Sequence, residues 1–127
     1  MYEKLTNEDV VKKCTKEDNF RYYDFSIKDK EDKETKFICS SDGLLFRKMK
    51  TGFWKEIQNT KNHAKGYNVI IVNKKQYSRA KLILFACNKI NLDDKNKNIY
   101  HKNQDKLDCK IENLTLDVPR KSISPNS

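Results

Sequence analysis

The 127-residue chain has room for one compact domain with a small appendage, and not for two full cores. Lys and Arg number 27 against 18 Asp and Glu, and the formal charge of +9 favours a polyanionic partner. No apolar run approaches the roughly 20 residues that cross a bilayer, and Met1-Tyr2-Glu3-Lys4 does not lead into a signal-peptide core, so the expectation is a cytoplasmic or nuclear protein with no membrane partner.

Apolar residues make up 36% of the chain, so they must be grouped to bury anything. Thr6 followed by Asp9, with Val10, Val11 and Cys14 beyond, predicts a short helix opened by a capping box. Phe20 to Ile27 has a strand-like composition, and the alternating charges of Asp29 to Lys36 read as a solvated loop. Phe37-Ile38-Cys39, Ser40-Ser41-Asp42-Gly43 and Leu44-Leu45-Phe46 predict a hairpin, because Asp-Gly supplies the positive φ of a tight turn. Trp54 to Ile57 adds a strand. Gly66-Tyr67 then opens Val69 to Val72, which turns at Asn73-Lys74-Lys75 and resumes at Gln76-Tyr77.

From Arg79 to Asn88 the period becomes helical, with Ala80, Ile83, Leu84 and Cys87 on one face. Asn91 to Asn98 is a polar connector. Ile99-Tyr100-His101, a polar stretch to Glu112, and the alternating Leu114, Leu116 and Val118 read as two strands around a long loop, and Pro119 suits the first turn of a final short helix. Cys14, Cys39, Cys87 and Cys109 form no CxxC pair, so reduced thiols are expected rather than a structural zinc site. His63 reads as a solvated loop residue, and Trp54, Tyr67 and Tyr77 as packing aromatics rather than base-stacking ones.

The stretch from Ile99 to Leu114, ending in Ile111-Glu112-Asn113-Leu114, is similar to the motif of HNH (ββα-metal) homing endonucleases. Tyr77-Ser78-Arg79-Ala80 to Phe85 resembles the helix that precedes the motif in that family, and Gly66-Tyr67-Asn68-Val69 resembles its strand. Phe37 to Arg47 resembles the S-x-x-G hairpin often fused ahead. The implied fold is α+β: an N-terminal helix and strand extension over 1–36, accessory β-hairpins and a helix over 37–90, and a ββα finger over 91–127.

The resemblance makes His101 the general base of phosphodiester hydrolysis and Asn113 the residue that braces the loop and orients it. Mg²⁺ is the implied cofactor of an active enzyme. The ligand positions of the family fall at Tyr100 and Ser122, neither a good donor for a hard cation, so no metal ligand is assigned. Ser78 stands where the family often has His, and Asn103-Gln104-Asp105 and Asp108-Cys109 also depart from its pattern. Lys74, Lys75, Arg79, Lys81, Lys102, Lys106, Lys110, Arg120 and Lys121 are the expected phosphate contacts. The expected function is therefore an HNH-type DNA-binding protein that nicks or cleaves DNA if its metal site works, with RNA as the alternative polyanion. The rival expectation is an inactive HNH-derived module that binds nucleic acid or a protein in a structural or inhibitory role. A homodimer would be needed for double-strand cuts by a one-site enzyme.

Overall fold

The computed structural model describes residues 3–16, 21–92 and 98–116. Thr6 opens helix α1 (Asn7–Cys14) as expected, its hydroxyl accepting from the Asp9 N–H while the Asp9 carboxylate accepts from the Thr6 N–H. Val10 and Cys14, one turn apart, are the residues this helix buries.

Strands β1 (Tyr22–Lys28), β2 (Glu34–Ser40), β3 (Leu45–Lys48) and β4 (Trp54–Glu56) form an antiparallel meander in that order. The connection expected over Asp29 to Lys36 is shorter than that, because Glu34, Thr35 and Lys36 belong to β2 and pair with Lys28, Ile27 and Ser26. The Lys28, Glu34 and Lys36 side chains are exposed at this end of the β1–β2 ribbon, where charge costs a strand little, and the Ser26 hydroxyl donates across it to Glu34 at 3.1 Å.

Toward Ser40 the sheet is buried on both faces, which is why Phe37, Ile38, Cys39 and Ser40 are all buried in succession. Period-two alternation sorts them. Phe37, Cys39, Leu45 and Ile27 face one core, whereas Ile38, Phe46 and Trp54 face another closed by Leu5, Val10 and Cys14. Leu5 and Trp54 exchange backbone hydrogen bonds at 3.0 and 2.7 Å, fixing α1 on its side.

The first core is covered by helix α2 (Arg79–Ala86) and by a separate ribbon, β5 (Val69–Val72) and β6 (Lys75–Ser78). Asn73 and Lys74 take φ of 53° and 69°, the left-handed pair that a two-residue hairpin turn needs. Ser78 then caps α2, its hydroxyl accepting from the Lys81 N–H. Strand β7 (Tyr100–His101) pairs with β8 (Leu114–Thr115) around the loop 102–113, which ends in a 3₁₀ turn over Ile111–Asn113. Cys109 and Leu114 enter the same core as Ile27 and Leu82, so residues from all three expected segments meet there. The mixed α+β class is as expected. The expected final helix from Pro119, with Arg120, Lys121 and Ser122, lies outside the described residues.

Arg79 corrects an expectation: it is 2% exposed and cannot reach a phosphate. Its Nε donates to the Gly43 carbonyl at 3.0 Å, and its Nη1 donates to the Ile57 carbonyl at 2.9 Å and to Asn68 Oδ1 at 3.2 Å. The first residue of α2 is wedged between the Ser40–Gly43 turn, the end of β4 and the start of β5, where a planar fork meets three oxygens. Burial lowers the guanidinium pKa below its ordinary value. Gly43 is required beside it: its φ is +92°, and a Cβ would stand 3.2 Å from the Cys109 carbonyl carbon.

Arg79→Ala leaves these acceptors without their donor, and the expected loss is about 3 kcal/mol or more in urea unfolding, with Arg79→Lys restoring only part of it. A loss under about 1 kcal/mol would contradict this role.

Candidate nucleic-acid interface

Asn113 closes the loop that β7 and β8 hold at their ends. Its Nδ2 donates to Asn103 Oδ1 at 3.0 Å and to the Asp108 carbonyl at 2.9 Å, while its Oδ1 accepts from the Asn103 N–H at 3.0 Å. Its carbonyl accepts from the Lys102 N–H at 2.8 Å. All of the side chain's polar atoms are thus engaged within one loop, and the residue is buried.

The loop is fastened to the body as well as to itself. The Ile111 N–H donates to the Ser41 carbonyl at 3.0 Å, Asn59 Nδ2 donates to the Leu107 carbonyl, and Lys106 Nζ donates to the Lys65 carbonyl at 2.8 Å. The Ser40–Gly43 turn can receive it because the buried Ser40 Oγ accepts from the Asp42 and Leu44 N–H groups and holds the turn in shape.

His101, paired with Leu114 and so next to Asn113, lines a cleft of about 330 Å³. Lys65, Tyr67, Ser78, Lys81 and Lys106 share its walls. The Nε2 of His101 is buried without a hydrogen-bond partner among the described residues. Burial pulls the imidazole pKa below its ordinary value; Asp105 and Asp108 oppose this, and Lys106 adds to it. The ring is therefore neutral at pH 7, the state that can accept a proton.

The expected cations fall into separate groups. Lys81 and Lys106 line the cleft. Lys102 and Lys110 are exposed on the loop, and Lys74 and Lys75 are exposed at the β5–β6 turn. Arg79 is buried in the interior, and Arg120 and Lys121 lie outside the described residues. Lys65 was not anticipated, although it directly precedes the Gly66-Tyr67 signal.

His63 also differs from expectation. It is half-buried and stacks on Tyr67 with ring centroids 4.4 Å apart, its Nδ1 accepting from the Lys65 N–H at 3.1 Å. That stack covers one face of Tyr67, Trp54 lies in a core, and Tyr77 packs against the other core.

The donors around His101 do not fit a divalent ion. Tyr100 offers a phenol where a hard cation wants a carboxylate or an amide oxygen. Asp105 accepts from the Leu107 N–H, and Asp108 accepts from the Lys110 N–H and from Asn103 Nδ2, so both carboxylates serve the loop. Among the described residues no group of three His, Cys, Asp or Glu side chains comes together, and no helix is long and apolar enough to cross a membrane.

No family model, curated protein or solved structure matches the chain.

Asn113→Ala removes three side-chain hydrogen bonds, and an expected loss of about 1 to 3 kcal/mol in urea unfolding should accompany faster amide exchange at Asn103. For His101 the folded pKa lies below that of the unfolded chain, about 6.5. As pH falls the unfolded state takes up the proton first, so this contribution to stability is complete above about pH 6.5 and declines as pH drops through the folded pKa. Urea midpoints at about pH 7.5 and about pH 5.5 should differ more for the wild type than for His101→Gln; equal differences would contradict the burial of this ring.

Proposed function

We propose that this chain is a DNA-binding protein of the HNH (ββα-metal) kind, and that the cleft beside His101 seats the phosphodiester backbone. One observation carries the reading: the Asn113 side chain locks the loop that follows His101, and His101 lines a cleft edged by Lys65, Lys81 and Lys106. A braced loop next to a histidine is the geometry that the motif resemblance leads one to expect, and three lysines supply the sequence-independent attraction for phosphate. The formal charge of +9 acts in the same direction at longer range.

A second reading, a DNA-nicking endonuclease, is favoured by the state of His101. Its ring is neutral, the protonation state from which a base can take a proton, and the residue lines the cleft. Mg²⁺ is the cofactor that this reading implies, while the ligand positions of the family fall at Tyr100 and Ser122, neither a good donor for a hard cation. The inactive reading rests on Tyr100 and Ser122 at those positions.

Two measurements on the full chain decide between these. Duplex DNA affinity is expected to fall steeply with salt, and Lys81→Ala with Lys106→Ala should reduce the log–log slope by about 2; a slope near zero would sink the proposal. Incubation with supercoiled plasmid in Mg²⁺ or Mn²⁺, beside His101→Ala, tests the chemistry. Nicked circles that require both the metal and His101 establish the endonuclease, and intact plasmid with salt-sensitive binding establishes the inactive binder.

A further inference from the structure

We infer that the β5–β6 ribbon is a base-reading element that enters the major groove of DNA, with Ile71 and Gln76 facing the base edges. The inference rests on the DNA-binding reading above and names the part of the surface that would give it sequence preference.

The ribbon has two unlike faces. Ile70 and Val72 are buried in the core, and Tyr77 packs against it. The register pairs Ile71 with Gln76 and Val69 with Ser78, which puts these four on the opposite face. There Ile71 is 59% exposed, the most open of the large hydrophobic residues in the described chain, and Gln76 is exposed across from it.

The surroundings select a polyanion for this face. Lys74 and Lys75 stand exposed at the tip. Next to the tip a groove of about 660 Å³ is lined by Asn73 with Lys33, Lys36, Arg47, Lys48 and Lys50, five basic side chains against the carboxylates of Asp29 and Glu34. At the other end Ser78, on the reading face two residues beyond Gln76, lines the cleft of His101, Lys65 and Lys81. Two residues of strand span about 7 Å, so a base contact at Gln76 lies one phosphate spacing from the proposed backbone site.

The chemistry of the exposed pair fits base edges. A two-stranded ribbon is narrow enough for the major groove, about 12 Å wide, where a glutamine pairs with the N6 and N7 positions of adenine and an apolar side chain contacts the thymine methyl. The positive φ values at Asn73 and Lys74 keep the turn tight, so the tip adds little width.

The test is selection of sequences by the full chain from a randomised DNA duplex pool, followed by affinities for selected and random duplexes. Ile71→Ala with Gln76→Ala should lower the ratio of selected to random affinity by roughly ten-fold or more. Gln76→Glu, an exposed change that keeps the size, should move the preferred base at one position toward cytosine. Lys74→Ala with Lys75→Ala should weaken every sequence alike and cut the salt slope by about 2. Lys12→Ala, on α1 across the sheet, should change nothing. Failure to enrich any sequence, or ribbon variants that bind like the wild type while Lys81→Ala with Lys106→Ala weakens binding, overturns the ribbon inference and leaves the cleft reading standing. Absence of salt-sensitive DNA binding by the wild type overturns both.

Discussion

The arrangement depends on one buried cation. Arg79 reaches from the first turn of α2 to the Ser40–Gly43 turn, to the end of β4 and to Asn68 at the start of β5. The turn and β4 belong to the four-stranded sheet, whereas β5 pairs only with β6 and α2 with no strand, so Arg79 ties together parts that strand pairing leaves separate. A guanidinium among carbonyl and amide oxygens from separate segments imposes a joint geometry that apolar packing alone would leave loose.

The candidate interface inherits that geometry. The Ser40–Gly43 turn that accepts Arg79 also accepts the Ile111 N–H, and Gly43 lies against the backbone of Cys109 and Lys110. The loop that Asn113 closes is therefore positioned by the N-terminal hairpin, and through it by α2. Ser78, which caps that helix, and Lys81 within it line the cleft together with His101. Helix, hairpin and loop fix the cleft together, so displacement of one moves its walls.

Much of this was legible along the chain. The Thr6–Asp9 capping box, the Asp42-Gly43 hairpin, the β-branched run Val69 to Val72 and the shift to helical period at Arg79 are local signals, and each places its element. Asn113 was legible too, since an amide next to a turn bonds nearby backbone. The length of β2 was not, because Glu34 to Lys36 look like loop by charge and become strand through their partners in β1. His63 likewise reads as solvated until Tyr67 folds over it.

The sequence by itself determined the α+β class, the order of the elements and the position of the amide-closed loop, since these follow from periodicity and turn chemistry over a few residues. The tertiary structure alone decided which cations are available to a partner. Arg79 and Lys81 are two residues apart and equally basic on paper. One turns into the interior to meet oxygens from three distant segments, and the other stays at the cleft. Burial depends on what the rest of the chain brings alongside, and no local pattern carries that information.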